Sequence, residues 1–130
     1  MTSAFRAAVE AKDLDAMRAA LHPDVIFRSP VVYKPYEGRD AVMFLLQAVL
    51  QVFEDFRYLD ELRADGSHAL IFEAKVNDRE LNGLDYVRTD ADGLITELWV
   101  MIRPLSGLSA VGERMRALLA SASASPSDGA

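Results

Sequence analysis

The sequence contains no cysteine, so it offers no disulfide framework, thiol nucleophile or zinc–thiolate site. Its two histidines are far apart and its carboxylates form no cluster of ligands, which argues against a metal site. No stretch approaches the ~20 apolar residues of a membrane-spanning helix, and no signal peptide is recognisable at the N-terminus. We therefore expect a cytoplasmic protein that has no metal, no other cofactor and no membrane partner.

Positive charge is scarce as well. The formal net charge is −6, with 14 Lys and Arg residues scattered among 20 Asp and Glu residues. A phosphate backbone would be repelled by this balance, which excludes nucleic acid as an expected partner. The apolar share of 51% and the length of 130 residues are typical of one folded domain. The many arginines and alanines are typical of a GC-rich bacterial genome.

Hydrophobic spacing predicts that the chain begins with helices. Apolar residues recur at helical intervals over residues 3–21, and Asp13 fits an N-cap that divides this segment into two pieces. Pro23 disfavours helix in the residue before it and ends the segment. After a short strand at 25–29 and a loop with two prolines, residues 39–56 carry the broad apolar stripe of a long helix.

Strands dominate the second half of the chain. Residues 70–76, 81–89 and 94–103 alternate between apolar and polar side chains, as strands with one buried face do. Residues 57–63 form a weaker strand. Helices followed by consecutive hairpins predict an α+β fold, in which a long curved sheet leaves an interior pocket.

The C-terminal part is expected to add little to this fold. Residues 107–119 fit a final helix, and residues 120–130 have the low-complexity composition of a disordered tail. The sequence thus predicts a single domain over residues 1–119.

Short motifs in a characteristic order point to a known family. They are Lys12–Asp15, Leu21–Phe27, Tyr36–Val42, Asp85–Arg88 and Asp92–Ile95. Their order over residues 5–108 resembles the nuclear transport factor 2-like superfamily, especially its SnoaL-like proteins. The resemblance implies a cone-shaped, curved antiparallel sheet wrapped around N-terminal and long central helices, a cystatin-like roll that is usually dimeric. Members isomerise steroids, cyclise polyketides, hydrolyse epoxides or only bind, and fold analogy does not choose among these activities.

Matching the steroid isomerases of this superfamily onto the sequence leaves their machinery incomplete. The position of their general base falls at Ser29, whose hydroxyl cannot hold a proton near neutral pH. The position of their tyrosine falls at Phe5, and only their aspartic acid is retained, as Asp85. The Asp-Arg-Asp set of the epoxide hydrolases is not supported either, because Arg88 has the strand parity opposite to Asp85 and Arg103 has the parity opposite to Val100.

Asp85 is the candidate catalytic residue. Its strand-mates of the same parity, Leu81, Gly83 and Val87, are apolar or small, so an inward Asp85 would lie in an apolar environment. Desolvation there raises a carboxyl pKa and favours the neutral, hydrogen-bond-donating form. The alternative interpretation is that Asp85 pairs with a neighbouring side chain and only organises the core.

The pocket itself is assigned from residues expected to face inwards or to border its mouth. They are Phe5, Met17, Phe27, Ser29, Tyr33, Tyr36, Phe44, Phe53, Phe72, Val87, Val100 and Ile102. We expect a SnoaL-like protein that binds a hydrophobic small molecule without a complete recognisable catalytic set. An isomerase, cyclase or lyase using Asp85 as acid/base is the first alternative. A structural or protein-interaction module acting through the outer sheet face is the second.

The outer face of the last strand predicts a homodimer. Ile95, Trp99 and Met101 share the parity opposite to the core, and Tyr86 on the preceding strand extends the patch they form. Aromatic and Met residues are enriched at protein interfaces, and a twofold axis would let the patch meet its own copy. The competing expectation is that the C-terminal helix covers this face within one chain.

Overall fold

The computed structural model describes residues 3–123, which form four helices and six strands. In chain order these are α1 (Ala4–Ala11), α2 (Leu14–Ala20), β1 (Leu21–Arg28), β2 (Tyr36–Glu37), α3 (Arg39–Val52), β3 (Glu54–Ala64), β4 (Ser67–Val76), β5 (Arg79–Thr89), β6 (Ile95–Arg103) and α4 (Leu105–Ser123). The predicted α+β class is confirmed.

The joint between the first two helices lies where the sequence places it. Lys12 adopts a left-handed conformation with φ 54°, which ends α1. The Asp13 carboxylate then accepts a hydrogen bond of 3.1 Å from the backbone N–H of Ala16 and caps α2. The two short helices consequently pack against each other as a helical hairpin.

The six strands form one sheet in the order β2-β1-β6-β5-β4-β3. Every neighbouring pair is antiparallel except β1 and β6, which are parallel. This exception was not anticipated from the sequence. It is geometrically permitted because α3 and four strands separate β1 from β6 and supply the long crossover that a parallel pair needs.

One face of the sheet meets the helices in a continuous core. Phe72, Leu70, Val87 and Leu98 are almost completely buried on this inner face, as their strand parity predicts. Helix α4 packs on the same face, where the Cα of Gly107 approaches the side chain of Leu81. The helix continues to Ser123, so the first residues of the predicted tail are helical and residues 124–130 lie outside the described part of the chain.

The transition from α3 to β3 comes earlier than predicted. The helix ends at Val52, and β3 begins at Glu54 with a register shift before Arg57. Asp55 has a left-handed φ of 51° within this irregular start. The apolar spacing that suggested a helix up to residue 56 arises because the irregular strand turns its aromatic side chains inwards.

Two residues face the opposite side from the one predicted. Phe44 was expected inside but is 53% exposed, because it shares the outer face of α3 with Ala41 and Gln47. Ile95 was expected outside but is 2% exposed. A β-bulge leaves Thr96 without a partner on β5, which reverses the parity of the residue before it.

Within residues 3–123, no helix combines the length and the apolar composition needed to cross a lipid bilayer.

Candidate functional site

A cavity of about 800 Å³ lies between the inner face of the sheet and the helices. Nine predicted pocket residues and Asp85 border it: Phe5, Met17, Phe27, Ser29, Tyr36, Phe53, Phe72, Val100, Ile102 and Asp85. Side chains from α1, α3 and α4 close its other walls. A cavity of this size accommodates a small organic molecule.

Three predicted pocket residues lie elsewhere. Tyr33 is 99% exposed, and its neighbours Val31 and Val32 border the cavity instead. Phe44 faces away from the cavity on the outer side of α3. Val87 is fully buried but belongs to the packed core and not to the cavity wall.

Asp85 is buried at the cavity wall, as its strand parity predicts. Asp85 is 8% exposed, and its position on β5 is opposite Leu70 on β4 and Val100 on β6. Burial raises the pKa of Asp85 to about 7, an effect that a hydrogen bond from Tyr58 partly opposes. Near neutral pH this carboxyl group is therefore divided between its charged and neutral forms.

Tyr58 is the partner of Asp85. Its hydroxyl donates a hydrogen bond of 3.2 Å to Oδ2 of Asp85, and its side chain also borders the cavity. Burial, followed by the nearby Asp85 carboxylate, raises the pKa of Tyr58 far above its ordinary value. The phenol consequently remains a hydrogen-bond donor at any physiological pH.

Sequence reasoning assigned no role to Tyr58. It lies on β3, which reads as a weak strand because register shifts on both sides of it break the alternation. The strand register pairs it with Phe72 on the neighbouring strand, which places both side chains on the inner face. That alignment is not visible before the strand register is known.

Arg6 contacts the ring of Tyr58. Its guanidinium lies 5.5 Å from the centroid of the Tyr58 ring, in a cation–π arrangement. The same guanidinium forms ion pairs of 3.5 Å with Glu10 and 3.4 Å with Glu61. Glu61 is shared with Arg63, which it contacts at 2.6 Å, so Arg6 pairs with carboxylates other than that of Asp85.

Four aromatic rings are grouped on the cavity wall next to Asp85. Phe56 lies at its centre, with its ring centroid 5.6 Å from Phe53, 5.0 Å from Tyr58 and 4.9 Å from Phe72. Gly83 makes room for this group, since a Cβ atom there would lie 2.0 Å from the Phe72 ring. We call Phe53, Phe56, Tyr58 and Phe72 the aromatic wall.

Ser29, at the position that matches the general base of steroid isomerases, stabilises the loop that follows β1. The hydroxyl of Ser29 accepts hydrogen bonds from the backbone N–H groups of Val31 at 3.0 Å and Val32 at 3.4 Å. Phe5 borders the cavity but carries no hydroxyl group. The two missing parts of the isomerase machinery are therefore not supplied at these positions.

The two arginines considered for epoxide hydrolysis lie on the outer face of the sheet. Both are exposed, and Arg103 donates a hydrogen bond of 2.8 Å to the side chain of Asn82. Neither borders the cavity that contains Asp85. No group of three or more His, Asp or Glu side chains within residues 3–123 is arranged to hold a metal ion.

Comparison with solved structures places this architecture among known proteins. A steroid delta-isomerase from Pseudomonas aeruginosa has 45% sequence identity and a TM-score of 0.88, with 93% of this chain and 90% of that chain covered. An uncharacterized bacterial protein with a cystatin-like fold, from Silicibacter pomeroyi, has 33% identity and a TM-score of 0.83, with 88% and 81% covered. An NTF2-like protein of unknown function from Cytophaga hutchinsonii has 19% identity and a TM-score of 0.61, with 79% and 87% covered, and shows the fold alone.

Sequence comparison identifies the family. No curated protein sequence matches this chain. The family model described as a SnoaL-like domain matches residues 2–98. That match spans more than half of the chain and agrees with the motifs and with the sheet described above. The chain therefore belongs to the SnoaL-like domain family, within the NTF2-like superfamily.

Proposed function

We propose that this protein binds a hydrophobic small molecule in the cavity, with a polar group of the ligand placed against Asp85. The observation that carries the proposal is the buried Asp85–Tyr58 pair on the wall of a cavity of about 800 Å³. Ligand pockets typically combine apolar walls with a few convergent polar groups. A cytoplasmic location belongs to the same proposal and is compatible with a chain that has no cysteine.

Binding of a neutral apolar dye such as N-phenyl-1-naphthylamine tests this proposal. Val100→Phe adds volume to the cavity wall, and Met101→Phe places the same side chain one residue later on the other face of β6. We expect the first change to weaken dye binding by about tenfold or more and the second to leave it within about twofold. Equal effects of the two variants would contradict binding in the cavity.

A second candidate function is proton transfer by Asp85 in an isomerase or lyase reaction. A carboxyl group whose pKa is about 7 is suited to give and take protons near neutral pH. The similarity to the P. aeruginosa steroid delta-isomerase supports testing a Δ5-3-oxosteroid as substrate. The absorbance of the conjugated enone product measures turnover.

Asp85→Asn separates the two candidates. An enzyme should lose turnover in this variant while it keeps its affinity for the ligand, because the amide cannot transfer the proton. A binding protein should lose only affinity. No turnover in the unchanged protein, combined with intact dye binding, would favour the binding function.

We also propose that the chain forms a homodimer through the outer face of the sheet. Tyr86 and Trp99 pack there with their ring centroids 6.4 Å apart, and Met101 beside them is 47% exposed. Helix α4 meets the edge of this patch at Leu108, while its Val111 and Met115 border the cavity on the inner face. A second copy would bury the patch about a twofold axis.

A further inference from the structure

We propose that the cavity selects an organic cation, an apolar molecule carrying a substituted ammonium group that lies between Asp85 and the aromatic wall. This inference rests on the proposed binding function and specifies the chemical class of its ligand. The juxtaposition that carries it is a buried carboxylate, without a cationic partner among residues 3–123, beside four aromatic rings in one cavity.

The first step concerns the charge of Asp85. Its hydrogen-bond partner is the neutral phenol of Tyr58, and no ion pair within the described part of the chain includes it. Arg6 contacts the ring of Tyr58, but it pairs with Glu10 and with Glu61, the latter shared with Arg63, and not with Asp85. A buried carboxylate without a counter-ion is unfavourable, and a cationic ligand would supply the missing charge.

The second step concerns the aromatic wall. The face of an aromatic ring is electronegative and attracts ammonium groups, particularly where water is excluded. The centroids of Phe53, Phe56 and Phe72 lie within 5.6 Å of one another, and Tyr58 joins Phe56 at an edge-to-face angle of 86°. Rings grouped beside a carboxylate favour the methyl or methylene groups that surround a substituted ammonium nitrogen.

The third step concerns the other charged groups around the cavity. They are Glu10 and Lys12 at the end of α1, Asp55 and Arg57 at the start of β3, and Arg116 on α4. All five are exposed, so water screens them, and the Arg57 guanidinium is paired with Glu73 on the outer side. Asp85 is consequently the charged group that discriminates among ligands inside the cavity.

A matched pair of ligands tests the inference. (1-Naphthylmethyl)trimethylammonium carries a permanent positive charge, and 1-neopentylnaphthalene replaces its nitrogen by carbon with nearly the same shape. Calorimetry at about pH 8, above the pKa of Asp85 of about 7, should show the cation binding about tenfold or more tightly than its neutral counterpart. The affinity for the cation should fall as the pH is lowered through 7, because protonation removes the counter-ion.

Two variants locate the origin of the selectivity. Asp85→Asn should abolish the preference for the cation while the neutral ligand still binds. Asp55→Asn removes an exposed carboxylate at the cavity rim and should leave the preference unchanged. If the preference for the cation survives in Asp85→Asn, or disappears in Asp55→Asn, the assignment of this preference to Asp85 is overturned.

A third variant keeps the test decisive if Asp85→Asn does not fold. Tyr58 lowers the pKa of Asp85 through its hydrogen bond, so Tyr58→Phe should move the pH midpoint of cation binding upwards. An unchanged midpoint would contradict the role of Asp85. Equal or tighter binding of the neutral ligand overturns the cation inference but leaves the apolar binding function intact. Failure of both ligands to bind would count against the binding function and the cation inference together.

Discussion

At the scale of single residues, the burial of Asp85 should make stability depend on pH. Its pKa is about 7 in the folded protein and near 3.8 when exposed, so the folded state binds more protons between these values. The free energy of unfolding should therefore fall as the pH rises through this window, by on the order of 4 kcal/mol, and stay low above it. Asp85→Asn should be more stable than the unchanged protein by roughly 2–4 kcal/mol at about pH 9 and by a smaller margin, roughly 1–2 kcal/mol, at about pH 5, where only part of this loss has occurred.

Urea unfolding at the two pH values measures this difference. Asp65→Asn, in the exposed turn between β3 and β4, is the matched control and should leave the pH dependence as it is. If Asp85→Asn is no more stable than the unchanged protein at high pH, then water or a side-chain rearrangement solvates the Asp85 carboxylate in solution.

At the scale of secondary-structure elements, two glycines with different surroundings should respond oppositely to alanine. Gly83→Ala on β5 places a Cβ atom 2.0 Å from the Phe72 ring and should cost about 1–3 kcal/mol as that ring is displaced. Gly112→Ala on α4 brings its Cβ to ordinary contact distance, 3.5 Å from Val31, and should stabilise the helix by about 0.5–1 kcal/mol. Thermal unfolding of both variants checks the signs, and destabilisation by Gly112→Ala would show that α4 packs more tightly than the structure indicates.

The elements also show which parts of the fold were predictable. Leu70, Phe72 and Val87 follow a simple alternation, so the sequence indicates their burial, and Asp85 follows with them because it shares the parity of Val87. The burial of Ile95 does not follow this alternation, since a bulge at Thr96 reverses the parity and no glycine or proline at the bulge indicates it in the sequence. Bulges depend on pairing between strands, which a single strand's sequence does not encode.

The same dependence on strand pairing explains why the sequence did not indicate Tyr58, the partner of Asp85 in the candidate site. The Asp85 side of the hydrogen bond lies on a regular strand, whereas Tyr58 lies between two register shifts on β3. The cation–π contact from Arg6 crosses from α1 to β3 and depends on how the helical hairpin docks onto the sheet. Contacts between distant segments of this kind become predictable only after the three-dimensional arrangement is known.

At the scale of the whole molecule, the proposed dimer makes a direct prediction about mass. The chain has a mass of 14.3 kDa, and sedimentation equilibrium at micromolar concentration should give about twice that value. Trp99→Glu should dissociate the dimer, because it introduces a charge into a patch whose rim already contains the ion pair of Arg28 and Glu97 at 2.8 Å. Phe44→Glu, on the exposed face of α3, is the matched control and should remain dimeric. A monomer in the unchanged protein would refute the proposed interface.

The position of Trp99 has a consequence for optical spectroscopy. It is the single tryptophan of the sequence, it lies on the outer face beneath the guanidinium of Arg28, and it does not border the cavity. Intrinsic tryptophan emission should therefore report assembly at the outer face and give little response when a non-absorbing ligand enters the cavity. Dye emission reports the cavity in a separate sample, because a dye that absorbs in the tryptophan emission band would quench Trp99 by energy transfer.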